Sequence, residues 1–103
     1  MPGVDFAAVR ARVSMRTVLE LLRFEPASAQ GDQLRGACLV HESQSPRSRS
    51  FSVNLRLGRY QCFRCGSHGN ALELWAAVHQ LPLHAAAVDL CRRAGVDVPW
   101  LPR

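Results

Sequence analysis

Apolar residues near the N-terminus recur at the three- and four-residue spacing of an α-helix. Two successive stripes follow this spacing: Phe6, Val9 and Val13, and then Met15, Val18, Leu19 and Leu22. Asp5 and Ser14 precede the stripes, and both are residue types that cap helix N-termini well. The pattern predicts one or two amphipathic helices over about residues 5–24, followed by a polar break over residues 26–32.

Beyond this break the pattern changes to the two-residue alternation of half-buried strands. Apolar residues stand at positions 51, 53, 55 and 57. Three polar residues alternate with them and should share the outer face of the strand: Ser52, Asn54 and Arg56. Gly58 marks a turn, after which residues 59–61 are predicted to form the second strand of a hairpin. A further strand is predicted at residues 33–37, and a polar, basic loop at 43–49.

Two more helices are predicted in the C-terminal third. Asn70 is a good N-cap for a helix whose apolar stripe is Ala71, Leu74, Trp75 and Val78. Pro82 interrupts the pattern, and a second helix runs from Leu83 until Gly95 stops it. The tail from Val96 onward is predicted to be irregular. The fold class is therefore α+β: one domain over residues 1–103, with an antiparallel sheet over about 33–70 flanked by helices at about 5–24 and 70–95.

Size and composition narrow the class of protein. The 103 residues are 48% hydrophobic and 20% charged, which predicts a folded chain of one domain. The apolar runs are shorter than the roughly 20 residues of a membrane span, and no signal-peptide pattern opens the chain. We therefore expect a cytoplasmic monomer without membrane contact. Because a domain of this size has little room for a catalytic cleft, we expect a binding module rather than an enzyme.

The charge balance favours a polyanionic partner. Thirteen basic residues, all of them Arg, outnumber eight acidic ones and give a formal net charge of +5. Arginine binds phosphate through a planar fork and also stacks on bases. A small basic domain of this kind is typical of nucleic-acid binding.

The cysteines and histidines indicate a metal site. Cys38 and His41 are separated by two residues, as are Cys62 and Cys65, and twenty residues separate the two pairs. Each short gap lets one tight turn present two ligands, and two such turns complete the tetrahedron that zinc prefers. We predict one structural Zn²⁺ held by these four residues, because a site closed by four protein ligands has no position for a catalytic water.

The sequence allows three other assignments for its cysteines and histidines. The Cys62–Cys65 pair has the spacing of a redox-active dithiol, although the matched pair upstream favours metal. His68 follows Cys65 closely and could replace His41 as a ligand. Cys91 lies in the apolar stripe of the last helix, where a buried core thiol is expected.

The ordered motifs resemble the N-terminal zinc-binding domain of bacterial DnaG-type DNA primases. The resemblance is carried by Arg35-Gly36, Cys38-x2-His41-Glu42, Ser50-Phe51-Ser52-Val53, Tyr60-Gln61-Cys62-Phe63-Arg64-Cys65-Gly66 and Gly69-Asn70, and it covers about residues 10–98. It implies a zinc ribbon-like sheet that binds single-stranded template DNA beside a separate polymerase domain. The sequence departs from the family at Leu39-Val40, where a proline and an aromatic are usual, and at Asn70, where aspartate is typical.

DNA contacts are predicted near the hairpin and the second ligand pair. Five arginines and two interleaved aromatics form this set: Arg47, Arg49, Arg56, Arg59, Arg64, Tyr60 and Phe63. The aromatics could stack on bases, or they could cover the zinc or the core. The arginines could equally be a solvated surface.

These observations leave two functions open. The first is a primase-type zinc finger that binds single-stranded DNA and acts with a primase polymerase domain or a helicase in primer synthesis. The second is a zinc-stabilised protein-interaction adaptor of a replication or mobile-element complex, favoured by Trp100 in the apolar tail. A complete small protein and a fragment of a full primase both fit the length, and Met1 slightly favours the former.

Overall fold

The structure is a computed structural model that describes residues 3–41 and 49–102. Two short helices, α1 (Phe6–Arg12) and α2 (Met15–Leu21), precede the sheet. The sheet contains β1 (Ser28–Gln30), β2 (Gln33–Gly36), β3 (Phe51–Asn54), β4 (Arg59–Cys62) and β5 (His68–Asn70). Helices α3 (Ala71–His79) and α4 (Leu83–Ala94) follow it. The predicted α+β class is confirmed.

Local capping sets the helix boundaries where the sequence places them. The Asp5 carboxylate accepts a hydrogen bond from the N–H of Ala8 at 3.1 Å, and the Ser14 hydroxyl accepts one from Thr17 at 3.2 Å. Because Val13 between them is extended, the N-terminal segment forms two helices. Asn70 and Glu73 form a reciprocal capping box at the start of α3.

The five strands form one antiparallel sheet in the order β1-β2-β3-β4-β5. Burial alternates along β3 and β4, so one face packs against the helices while the other faces solvent. Phe51 lies at the centre of the buried face, with its ring centroid 5.3 Å from that of Phe24 and 5.6 Å from that of Tyr60. Gly36 permits the approach of Phe24, because a Cβ at position 36 would lie 2.8 Å from Phe24 Cζ.

The prediction that β3 extends to residue 57 is wrong. The strand ends at Asn54, whose side chain accepts a hydrogen bond from the N–H of Leu57 at 3.0 Å. The turn closes when the Gly58 N–H donates to the Asn54 carbonyl, and Gly58 has the positive φ of 65° that such a turn favours. Leu57 is consequently 63% exposed, and Arg56 lies in the turn rather than on the strand.

Strands β1 and β5 and the pairing of the C-terminal tail with Val4 are absent from the sequence prediction. Gln30 pairs with Gln33 across a two-residue Gly-Asp turn, so part of the predicted polar break is a hairpin strand. The short strand β5 pairs with β4. In the tail, Trp100 bridges to Val4 and fixes a segment that was expected to be irregular. Within the described residues, no helix has the length and apolarity of a bilayer span.

Candidate metal centre and the adjoining polar face

The four predicted zinc ligands come from two turns at one end of the sheet. Strands β2 and β4 run in the same direction, because both pair antiparallel with β3, and Gly36 and Cys62 lie in the same row. Cys38 and His41 follow β2, whereas Cys62 ends β4 and Cys65 lies in the next turn. The sheet therefore brings together two ligand pairs that are far apart in sequence.

The geometry of the four ligand atoms fits a tetrahedral zinc. All four lie within 4.8 Å of one another. Cys38 Sγ and Cys65 Sγ are 3.9 Å apart, and Cys62 Sγ is 3.5 Å from His41 Nδ1. Bond lengths of about 2.3 Å to sulfur and about 2.0–2.1 Å to nitrogen place tetrahedral ligand atoms roughly 3.6–3.8 Å apart. These residues would hold Zn²⁺, which would supply structural cross-linking of the two turns.

Backbone hydrogen bonds prepare the sulfur atoms for a metal. The Val40 N–H donates to Cys38 Sγ at 3.3 Å, and the N–H groups of Arg64 and Cys65 both donate to Cys62 Sγ at 3.4 Å. Such donors stabilise negative charge on a thiolate and hold the ligand in place. The turns thus do more than space the ligands, since their amides also offset the charge of a three-thiolate site.

The two buried ligand thiols have pKa shifts of opposite direction. Burial raises the pKa of Cys38 to about 12. Burial also acts on Cys62, but the N–H donors of its turn outweigh it and lower the pKa of Cys62 to about 6. Because a thiol must lose its proton to bind zinc, zinc affinity falls as pH falls.

The alternatives for the ligand set are resolved by position. His68 lies on β5 and is not part of the ligand cluster. Cys91 is fully buried in α4, as expected for a core thiol, and burial raises the pKa of Cys91. His41 Nε2 is buried and has no hydrogen-bond partner among the described residues, whereas His41 Nδ1 is the ring nitrogen that lies 3.5 Å from Cys62 Sγ.

The solvent face of the sheet is polar throughout and adjoins the metal site. The strand register aligns two rows of outward side chains: Arg35, Ser52, Gln61 and His68 in one, and Gln33, Asn54, Arg59 and Asn70 in the other. We call these eight residues the polar face. A recess of about 370 Å³ lies over its centre. Amide, hydroxyl, imidazole and guanidinium groups thus converge on one open surface.

The predicted DNA contacts are dispersed around this face. Arg47 lies outside the described residues. Arg49 and Arg64 are exposed at the zinc end, Arg59 belongs to the polar face, and Arg56 lies in the turn at the opposite end. Phe63 is 61% exposed beside the zinc site, so it covers neither the metal nor the core.

The structure corrects the assignment of Tyr60 as a DNA contact. Its side chain is 3% exposed and lies on the buried face with Phe51. The hydroxyl forms a 2.7 Å hydrogen bond with Ser67 Oγ. Because neither ring face is open to solvent, a base cannot stack on Tyr60 without rearrangement of the core.

The sequence prediction did not identify five residues of the polar face, of which Arg35, Gln61 and His68 lie in one row. Arg35 had a signal, since its strand alternates in the same way as β3 and sets Arg35 beside Ser52. Gln61 follows by alternation from buried Tyr60. His68 had none, because the three-residue strand that carries it is too short for a periodic pattern.

Comparison with known proteins identifies the family. The sequence profile of the CHC2 zinc finger, the zinc ribbon of DnaG-type primases, matches residues 6–102. This chain belongs to the CHC2 zinc finger family. The resemblance to the primase zinc-binding domain is thereby confirmed, as is a single structural zinc with Cys38, His41, Cys62 and Cys65 as its ligand cluster.

Relatives of this CHC2 zinc finger include much longer proteins. The chain is 31% identical to the DNA primase of Geobacillus stearothermophilus over 95% of its own length and 16% of that protein. It is 38% identical to the DNA primase of Pseudomonas aeruginosa over 67% of the chain and 10% of the relative. The fold matches the crystal structure of the Aquifex aeolicus primase zinc-binding and RNA polymerase domains with a TM-score of 0.71, at 23% identity, over 91% of this chain and 22% of that one. The chain thus spans about a sixth or less of the two DNA primases and about a fifth of the solved chain.

Proposed function

We propose that this zinc finger binds single-stranded template DNA on its polar face and serves a separate primase polymerase domain in primer synthesis, in the cytoplasm. The observation that carries the proposal is the polar face itself. Its eight side chains are all polar, and the exposed ring of Phe63 lies at its zinc end. The relatives named DNA primase support the same role.

The chemistry of this face suits an unpaired strand better than a duplex. The Gln61 amide can pair with base edges through both its oxygen and its nitrogen. The Gln33 oxygen and the Asn54 nitrogen can do the same, because the Gln33 nitrogen donates to Ser52 Oγ and the Asn54 oxygen accepts from the Leu57 N–H. Guanidinium groups can contact phosphates. An aromatic ring stacks only on a base whose face is open, which a duplex does not offer. A sheet surface that combines these groups is the kind of platform that single-strand binding proteins use.

Salt dependence tests the proposal. If Arg49, Arg59 and Arg64 each neutralise one phosphate, a plot of the logarithm of the association constant against the logarithm of the salt concentration should have a slope near −2, at about 0.7 per phosphate. Arg59→Ala should weaken binding to every sequence alike and flatten that slope by about 0.7. Titration of zinc-loaded protein into labelled single-stranded and duplex DNA measures both.

Arg92→Ala is the matched control for this titration, because Arg92 is an exposed arginine of α4 outside the polar face. It should leave the slope unchanged. Absence of binding to single-stranded DNA at low salt would contradict the proposed function.

We expect no primer synthesis by the chain alone. Two-metal nucleotidyl transfer needs several convergent carboxylates. In the described ranges, the zinc ligands are the one cluster of three or more His, Cys, Asp or Glu side chains suited to a metal. Ribonucleotide incorporation on a single-stranded template measures this, and polymerisation by the highly purified chain would contradict it.

A second candidate function, that of a protein-interaction adaptor, is favoured by an apolar patch. Trp100 and Leu101, which are adjacent in the tail, are each 46% exposed, and the Trp100 ring centroid lies 6.0 Å from that of His84. Pairing of the tail with Val4 holds Trp100 in place. Fixed, exposed tryptophan is enriched at protein interfaces. This patch is a candidate contact for the polymerase partner, and it would be the main functional surface if DNA binding proved absent.

A further inference from the structure

Phe63 is an exposed aromatic with a fixed backbone. It follows Cys62 on the outward side of β4, at the zinc end of the polar face. Its N–H donates to the Ser50 carbonyl at 2.8 Å, which continues the pairing of β3 and β4 into the turn. With 61% of its side chain exposed, Phe63 contributes little to the core. Core packing therefore does not account for the ring.

Arg35 covers one face of this ring. Its guanidinium carbon lies 5.1 Å from the Phe63 ring centroid, within the range of a cation–π contact. Two nitrogens of the same guanidinium, Nε and Nη2, donate to the Arg49 carbonyl at 3.1 and 2.6 Å. A long side chain that is usually mobile is thus held by a fork of hydrogen bonds on one side and an aromatic face on the other.

Among the described residues, this arrangement leaves one ring face free. Arg35 occupies one side of the ring, and the Phe63 side chain is 61% exposed, so the opposite side is open within the described part of the chain. The cation draws the ring's negative charge toward itself, which reduces repulsion between the free face and an electron-rich base. The ring is also held in one orientation, so a ligand that stacks on it loses less by ordering it.

We propose that Phe63 and Arg35 form a stacking site for one unpaired nucleobase, in which Arg35 is a positioning residue that acts through the Phe63 ring. The inference rests on the proposed function and adds to it the location of one base. It sets that base beside the zinc site, so the turn between Cys62 and Cys65 orients the ring as well as the metal ligands. Two of the Arg35 nitrogens already serve the Arg49 carbonyl, which limits its capacity for phosphate.

A double-mutant cycle tests the inference, with zinc-loaded protein and a single-stranded oligonucleotide that carries 2-aminopurine as a fluorescent base. Phe63→Ala should lower affinity by about 5- to 150-fold, leave the salt slope unchanged and abolish the quenching of 2-aminopurine. Arg35→Ala should lower affinity by about 2- to 5-fold and weaken the quenching. In the Phe63→Ala background, Arg35→Ala should have no further effect, because the residue through which it acts is gone.

Two further variants separate folding and charge from stacking. Phe63→Tyr keeps the ring and should retain affinity and quenching, with the same zinc content as the parent. Arg49→Ala removes a neighbouring charge but keeps the backbone carbonyl that holds Arg35. It should flatten the salt slope by about 0.7 and leave the quenching intact.

The outcomes distinguish this site from the broader proposal. If the parent binds single-stranded DNA but the effects of Arg35→Ala and Phe63→Ala on log Kd simply add, Arg35 does not act through the ring and the stacking site is overturned. The same conclusion follows if Arg35→Ala flattens the salt slope by about 0.7 in the Phe63→Ala background, since Arg35 would then contact phosphate. If the parent does not bind at all, the proposed function fails and the site fails with it.

Discussion

Replacement of Cys62 with serine is expected to release the zinc and unfold the sheet. Cys62 is fully buried and is the last residue of β4. Its Sγ atom accepts hydrogen bonds from two backbone N–H groups. Structural zinc supplies about 10–16 kcal/mol of binding free energy in small domains, whereas a whole domain is stable by only about 5–15 kcal/mol. Loss of the ion should therefore exceed the reserve of stability. Metal analysis and circular dichroism of the purified variant measure the two effects.

Cys91→Ser provides the matched control for this result. Cys91 is also fully buried, but it lies in α4 and outside the ligand cluster. A serine at this position would bury a polar hydroxyl in the apolar core. We therefore expect the free energy of unfolding to fall by about 1–3 kcal/mol, with one zinc still bound. Zinc loss from the Cys91 variant together with retention by the Cys62 variant would overturn the ligand assignment.

Features of the fold that depend on neighbouring residues alone could be predicted from sequence. The caps at Asp5, Ser14 and Asn70 each satisfy an N–H three residues further along, so the signal is local. Gly95 ends α4 with a positive φ of 72°, which a glycine adopts without a steric penalty. These elements were predicted correctly because their causes lie within one helical turn.

Features that depend on a partner strand could not be predicted in this way. Each of β1 and β5 has three residues, too few for an alternation, and exists because the adjacent strand offers backbone partners. At the end of β3, two local sequence signals give opposite predictions. Alternation favours continuation through Leu57, but the Asn54 side chain and Gly58 together form a turn that removes Leu57 from the strand.

The residues of the site also differ in whether their positions can be predicted from local sequence. The zinc ligands were predictable because a two-residue gap is itself the geometry of a chelating turn. The polar face was only partly predictable, since the rows that join Arg35 to His68 exist only once strand register is known. The burial of Tyr60 can be predicted from strand alternation. Tyr60 lies two residues before Cys62 on the same strand and so shares its inward face, where a base cannot reach it.

Phe51→Ala is expected to destabilise the fold strongly, although Phe51 is not a metal ligand. Phe51 is 0% exposed and packs between Phe24 and Tyr60, with centroid distances of 5.3 and 5.6 Å. Truncation would leave a cavity between the sheet and the chain that covers it, at a cost of about 3–5 kcal/mol. Urea unfolding at a fixed free zinc concentration measures the change, because zinc that binds only the folded state would otherwise shift the midpoint.

Leu57→Ala is the control, since that side chain is 63% exposed in the turn and should change the free energy of unfolding by less than about 0.5 kcal/mol. Equal effects of the two substitutions would contradict the burial pattern on which the sheet's two faces are assigned.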